Sequence, residues 1–301
     1  MPKLLPQPVN LLITILLLTG CYTLIDPDLP KKQNTPTVNA ILQAGEPLMV
    51  QVSMATELDT LPLSLIDNAA IELWVNNVFV EKLLGENEGL YTAQTIVEAG
   101  NEYSCKVVVP GFDTLFCSGK IPFPEQILNI EHINIAGKDE EGTSYPAMRI
   151  TFSNNPDVVS YYEIQINLIG YRDEIFFPNI LNVVDPVILN EGLPILLFSN
   201  ELIRDSVYTM HINYNTSTAS WSQNTGWRTS LYPFTVEFRT ISYDYYLFRK
   251  QHYLYKQSRY ADGVLENITT APLYSNIDNG LGIFAGYSSF VSDTIKPAYA
   301  R

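Results

Sequence analysis

The stretch Tyr103-Ser-Cys-Lys-Val-Val-Val-Pro-Gly-Phe-Asp-Thr-Leu-Phe-Cys-Ser118 decides the fold class. Both arms are strand-like and Pro110-Gly111 between them is a strong turn signal, so the segment reads as a β-hairpin. Cys105 and Cys117 are equidistant from Gly111, which sets them opposite one another. Facing residues in a non-hydrogen-bonded antiparallel pair have Cα atoms about 4.5 Å apart, within the range a disulfide tolerates. A Cys105–Cys117 disulfide is therefore expected, with two small buried thiols as the alternative. No histidine lies nearby in sequence to suggest a catalytic cysteine.

The same grammar extends upstream. Leu48, Val50 and Val52 alternate with Met49, Gln51 and Ser53, and Ile71, Leu73 and Val75 alternate with Glu72 and Trp74. An Asn76-Asn77 turn follows, and Val78 to Leu84 returns as the partner strand. With further turns at 85–89 and 98–101, a strand falls every ~8–12 residues, the spacing of a sandwich. Residues 36–122 are expected to form one immunoglobulin-like or fibronectin-like β-sandwich, with Trp74 on its polar-alternating face.

Ile121-Pro-Phe-Pro-Glu125 ends a strand and marks a hinge, so a second, β-rich domain is expected over 123–301. Alternation slips phase at His132, as a β-bulge would produce. Met148, Ile150 and Phe152, then Tyr162 to Leu168, Tyr208 to Tyr214, and Phe234 to Phe238 each alternate as half-buried strands. One segment departs from this pattern. Ser242 can cap a helix, Asp244 suits its positive end, and Arg249, Lys250, Lys256 and Arg259 lie toward the other. A helix near 243–258 is expected. Its aromatic residues occupy both faces, which calls for burial between layers or cover by a partner.

The N-terminus carries a different signal. Met1-Pro2-Lys3, the apolar run Leu11 to Leu18 and Leu18-Thr19-Gly20-Cys21 form the three parts of a bacterial lipoprotein export signal over 1–20, with Cys21 as the lipidated residue. The apolar run is too short to span a membrane, which takes ~20 residues. Residues 21–35 read as a flexible tether, and about fifteen such residues can reach ~50 Å.

Composition narrows function more than it defines it. Asp and Glu number 32 against 18 Lys and Arg, giving −14; loss of Lys3 with the signal takes the mature chain from −14 to −15. Such a balance opposes nucleic-acid binding, which needs a basic face. His132, His211 and His252 lie in separate elements, and no metal-ligand spacing, nucleophile elbow or cofactor motif occurs. Gly280, Gly282 and Gly286 are spaced G-x-G-x-x-x-G, one residue too long for a dinucleotide fingerprint, and read as backbone turning. No catalytic residue and no cofactor is expected. Between two strands, Trp221 and Trp227, with Arg228 beside them, sit among small polar residues. Such rings can stack on sugars or anchor a protein partner, or fold back to stabilise their own loop.

Asn68-Ala-Ala-Ile71, Gly89-Leu-Tyr91, Gly100-Asn-Glu-Tyr103, Ile121-Pro122, Asn155-Pro156, Tyr161-Tyr-Glu-Ile164 and Phe198-Ser-Asn200 form a recurring set. With them go Ile241-Ser-Tyr-Asp-Tyr-Tyr246 and Ser275-Asn-Ile-Asp-Asn-Gly-Leu-Gly-Ile-Phe284, the two most specific. In these the chain resembles a Bacteroidota lipoprotein family carrying the domain of unknown function numbered forty-two forty-nine. The family pattern commonly has aspartate where Asn200 stands. The resemblance implies a non-enzymatic, lipid-anchored outer-membrane protein, at the cell surface or on the periplasmic face. It also implies a role beside a TonB-dependent transporter in substrate capture or gating, of unknown ligand. A surface adhesin or glycan-binding module working without a transporter is the alternative.

Overall fold

The structure, a computed structural model, describes residues 34–55, 64–170, 172, 174–215, 219–222, 226–229, 231–260 and 273–297. The export signal, Cys21 and the tether lie outside them. The chain is mainly β. Among the described residues there are two helices, α1 (Pro186–Glu191) and α2 (Tyr243–Tyr260).

The hairpin that opens the sequence forms as expected. Glu102–Val108 pairs with Leu115–Lys120 in a register that sets Cys105 opposite Cys117, and Phe112 N–H closes the turn onto the Val109 carbonyl at 3.1 Å. Upstream, Asn76 and Asn77 take positive φ (51° and 65°), so Val75 pairs directly with Val78 across a two-residue turn. These strands make a four-stranded sheet, in the order Val78–Lys82, Ala70–Val75, Glu102–Val108, Leu115–Lys120. Their alternate residues, Ile71, Leu73, Val107 and Leu115, are buried against Val38, Leu48, Val50 and Val52 of a second sheet.

That second sheet is the spine of the molecule. It runs Ile175–Phe176, Tyr161–Ile169, Phe234–Ile241, Leu281–Val291, Thr35–Gln43, Pro47–Ala55, Leu90–Ile96, Leu84–Gly85. Its central joint is parallel: Leu281–Val291 lies along Thr35–Gln43, with Gly282 beside Val38 and Gly286 beside Leu42. The glycine spacing is explained here. A Cβ on Gly282, at φ +114°, would strike the Val38 carbonyl, and one on Gly286 would strike the Ile121 side chain. The glycines permit close approach of strands, where the sequence suggested turning.

The far half of the spine is covered by a third sheet of Ile127–Lys138, Ser144–Ser153, Val207–Asn215 and Asn179–Ile180. Met148, Ile150, Phe152, Met210 and Ile212 from it meet Tyr162, Ile164, Phe234 and Phe238 in a second core. The chain on either side of 122/123 builds mainly one of the two cores, but Ile277 and Phe284 join the first core and one sheet passes beneath both. Residues 34–301 cluster as one contact unit. His132 pairs regularly with Met148; the register shifts lie between Ile127 and Asn129 and between Ile133 and Gly137, so the bulge expected at His132 sits to either side of it.

Helix α2 begins as read, with Tyr245 N–H donating to Ser242 Oγ at 3.3 Å. The same Oγ accepts from Gly286 N–H at 3.3 Å, which fastens the helix start to the spine. Tyr245 and Tyr246 are buried with Leu197, Ile241, Ile283 and Tyr287. Burial is one-sided: Tyr245 and Tyr246 pack on the spine as expected, while Tyr243 and Leu254 are exposed.

Candidate functional site

Chemistry-bearing residues singled out in the sequence do not converge. His132 is held by Asn134 Oδ1 at 3.0 Å and Tyr214 Oη at 2.7 Å, and burial lowers its pKa. The backbone N–H of His211 donates to Asp185, and His252 stacks on Phe248 with ring centroids 5.7 Å apart. Among the described residues no group of three His, Cys, Asp or Glu could hold a metal ion. Cys105 and Cys117 are buried and free, and the expected disulfide is corrected on that point. The register is right, but Cys117 Sγ turns to the Cys105 carbonyl oxygen, 3.7 Å away. Contact with the Cys117 thiol, and then burial, push the Cys105 thiol well above its ordinary value. Trp221 and Trp227 are opposite one another in a two-stranded hairpin, Ala219–Ser222 with Gly226–Thr229, and Arg228 faces Ser220. Their side chains fall outside the described residues.

What the fold does bring together is a set of segments around the 122/123 joint. A cleft of about 610 Å³ is lined by Ile121, Pro122 and Phe123, by Val158 to Tyr161, and by Thr240 to Asp244. Phe123, between two prolines, is 71% exposed and lies over Gly100, where any Cβ would meet its ring. Val158 and Val159 are both more than half exposed, and Tyr243 is 52% exposed. Clustered exposed apolar side chains on a globular chain mark interaction surfaces.

The walls are pinned. Asn200, buried, donates to Asn154 Oδ1 (2.8 Å), the Val158 carbonyl (2.9 Å) and the Asn155 carbonyl (3.1 Å), and its Oδ1 accepts from Ser160 N–H (2.9 Å). One amide thereby satisfies the loop that presents the two valines. Tyr161 packs against Tyr243 and Tyr246, with centroids 5.1 and 4.7 Å away. Tyr274 Oη donates to Asp244 Oδ1 at 2.6 Å.

Behind this wall, α2 is locked by buried charge. Glu163 Oε1 accepts from Arg249 Nε (2.8 Å) and Nη2 (2.6 Å), and its Oε2 from Tyr245 Oη (2.9 Å) and Arg239 Nη1 (3.1 Å). Arg239 also forks onto Glu237 at 2.8 and 2.9 Å and lies over the Tyr287 ring, 4.4 Å from its centroid. Burial alone would lower the Arg239 pKa, but Glu237 and the neighbouring groups hold it above its usual range. One residue on from Arg249 and from Tyr245, Lys250 Nζ meets Glu191 Oε2 at 2.8 Å, with Tyr246 Oη donating to the same oxygen. Two carboxylates and two guanidiniums balance in the first cluster, so the low-dielectric site carries no net charge.

Sequence reading had marked most of these segments without joining them. Ile121-Pro122, Asn155, Tyr161-Tyr-Glu-Ile164, Asn200 and Ile241 to Tyr246 are the segments of the family resemblance, and they line the cleft or hold its walls. Val158, Val159 and Phe123 were missed. An unburied Phe between two prolines was the available signal.

Known proteins agree at the level of family. No curated protein matches the chain. The family model described as Domain of unknown function (DUF4249) matches residues 22–292. With nine-tenths of its length under that match, the chain belongs to the DUF4249 family.

Proposed function

We propose that this chain is a non-catalytic lipoprotein, anchored through Cys21 in the outer membrane and exposed at the cell surface. There it serves as accessory to a TonB-dependent transporter in substrate capture or gating, using the joint cleft as its contact surface. The observation that carries the reading is the cleft itself: exposed Phe123, Val158, Val159 and Tyr243 on walls fixed by Asn200 and by the Glu163 cluster. Such a surface offers aromatic and aliphatic anchors already in place, which limits the ordering cost of binding. Several of its polar groups hold the walls, among them Thr240 Oγ1, which accepts from Glu125 N–H at 3.0 Å, and Asp244, which accepts from Tyr274.

Affinity purification of the tagged full chain from mild detergent tests this. A TonB-dependent transporter is expected to co-purify, and Val159→Asp, which puts an unpaired charge in the cleft, is expected to lose it. Recovery of the lipoprotein alone would overturn the reading. Anchoring is tested separately by labelled palmitate, whose incorporation Cys21→Ala should abolish. The adhesin or glycan-binding alternative keeps one supporting observation, the register of Trp221 against Trp227.

A further inference from the structure

A second recess lies on the outer face of the four-stranded sheet, away from the joint. Register places Phe79, Trp74, Ser104 and Ser118 in one row across the four strands. Lys82, Glu72, Lys106 and Phe116 form the next. Two small serines therefore stand side by side next to Trp74, with the larger Lys106 and Phe116 in the adjoining row. The hollow they leave is about 420 Å³, walled by Trp74 and Phe116 and closed by Asn276 and Asp278 from the C-terminal segment. That closing wall is fixed. Asp278 and Phe116 exchange backbone hydrogen bonds at 2.9 and 3.3 Å, and Asn276 is bonded through both amide atoms to Phe284.

The polar groups facing this hollow are of mixed kind. Ser104 and Ser118 hydroxyls, the Trp74 indole N–H and the Asp278 carboxylate supply donors and acceptors, and none is used in a hydrogen bond among the described residues. Lys106 and Lys82 share Glu72 at 3.5 and 3.7 Å, so with Asp278 the two lysines and two carboxylates at the recess balance. An aromatic wall, a trough of small residues and convergent donors and acceptors are the features that fit a sugar ring, with its apolar C–H face and its edge of hydroxyls. The balanced charge suits a neutral sugar better than an acidic or basic one. We infer that this recess is a binding site for a neutral pyranose unit of a glycan, stacked on Trp74 and Phe116 and hydrogen-bonded by Ser104, Ser118 and Asp278. It does not rest on the transporter reading, nor on Trp221 and Trp227.

The test uses the full chain with Trp221→Phe and Trp227→Phe, which leaves Trp74 as the sole indole of the three. Hexasaccharides of glucose, mannose, galactose, xylose and N-acetylglucosamine are titrated while Trp74 emission is read. At least one is expected to shift the emission saturably, with a Kd of about 1 mM or below. Phe116→Ala should weaken that binding about tenfold, a loss of 1.4 kcal/mol. Ser118→Ile, a β-branched residue suited to a strand, fills the trough and should abolish binding while the melting temperature stays unchanged. An absence of response to all five sugars up to ~10 mM, or undiminished binding in the Ser118→Ile variant, overturns the assignment.

Discussion

The core beneath residues 38–121 is mostly aliphatic, built from Val38, Leu42, Leu48, Val50, Val52, Ile71, Leu73 and Val107. In the neighbouring core, Phe152, Tyr162, Phe198 and Phe238 interlock with ring centroids 4.7–5.9 Å apart. The first needs burial and little directional chemistry. Its two buried tyrosines, Tyr91 and Tyr103, simply satisfy nearby backbone groups. Outside the second, on the spine's other face, Glu163, Arg239, Arg249, Glu191 and Lys250 fix a helix in one register. A sandwich can be closed by area alone, whereas holding one end of a helix at a cleft requires directional bonds. The cleft wall at Tyr161 and Tyr243 is on the side that has them.

The comparison can be broken most forcibly in the aromatic core. Phe152→Ala is expected to cost about 4 kcal/mol, against about 1 kcal/mol for Ile71→Val in the aliphatic one, measured by urea denaturation. A cost near 1 kcal/mol for Phe152→Ala would show that its ring is not held in a close-packed cluster. Glu163→Gln removes the carboxylate shared by two guanidiniums and should cost about 2 kcal/mol, because Arg239 keeps Glu237 while the partly exposed Arg249 loses its charged partner. Proteolysis within α2 should rise in that variant; an unchanged digestion pattern would show that the ion cluster does not hold the helix.

Acidity sharpens the same contrast. Burial would raise the Glu191 pKa, but Lys250, the Tyr246 hydroxyl and the Ser199 N–H bring it below the ordinary 4.5. A depressed carboxylate contributes stability above its unfolded pKa and loses it as pH falls through the folded value. Lys250 is raised above 10.5 by the same partners, despite burial, so its contribution is complete below that pH and is lost as pH rises through the folded value. Docking of α2 should be flat between these limits. Melting temperature against pH should show a shallower acid limb in Glu191→Gln than in the unaltered chain, and identical limbs would remove Glu191 from the account. The smallest effect is a gain. The buried Tyr162 hydroxyl has no hydrogen-bond partner among the described residues, so Tyr162→Phe should stabilise by up to ~1 kcal/mol in the same urea assay.

Local chemistry was legible in the sequence. The Asn76-Asn77 turn, the Cys105/Cys117 register and the Ser242 helix start each depend on residues within a dozen positions of one another. What was hidden depends on distance along the chain. The parallel pairing of Thr35–Gln43 with Leu281–Val291 carries no local signal beyond three glycines, and those were read as turns. The cleft draws on three stretches separated by dozens of residues, so alternation could place Val158 and Val159 in a loop but could not show what they face. The cysteines show the limit from the other side. Pairing fixes which residues are opposite, and side-chain rotation decides what their sulfurs touch.

The claim that the joint cleft is the contact surface is tested most directly by placing a photo-crosslinking amino acid at Val159 and, as control, at Lys82 in the four-stranded sheet, in the full chain in its native cells. Illumination is expected to join the Val159 position to a TonB-dependent transporter identified by mass spectrometry, and to leave the Lys82 position without that adduct. No transporter adduct at Val159, or equal yield from both positions, would contradict it.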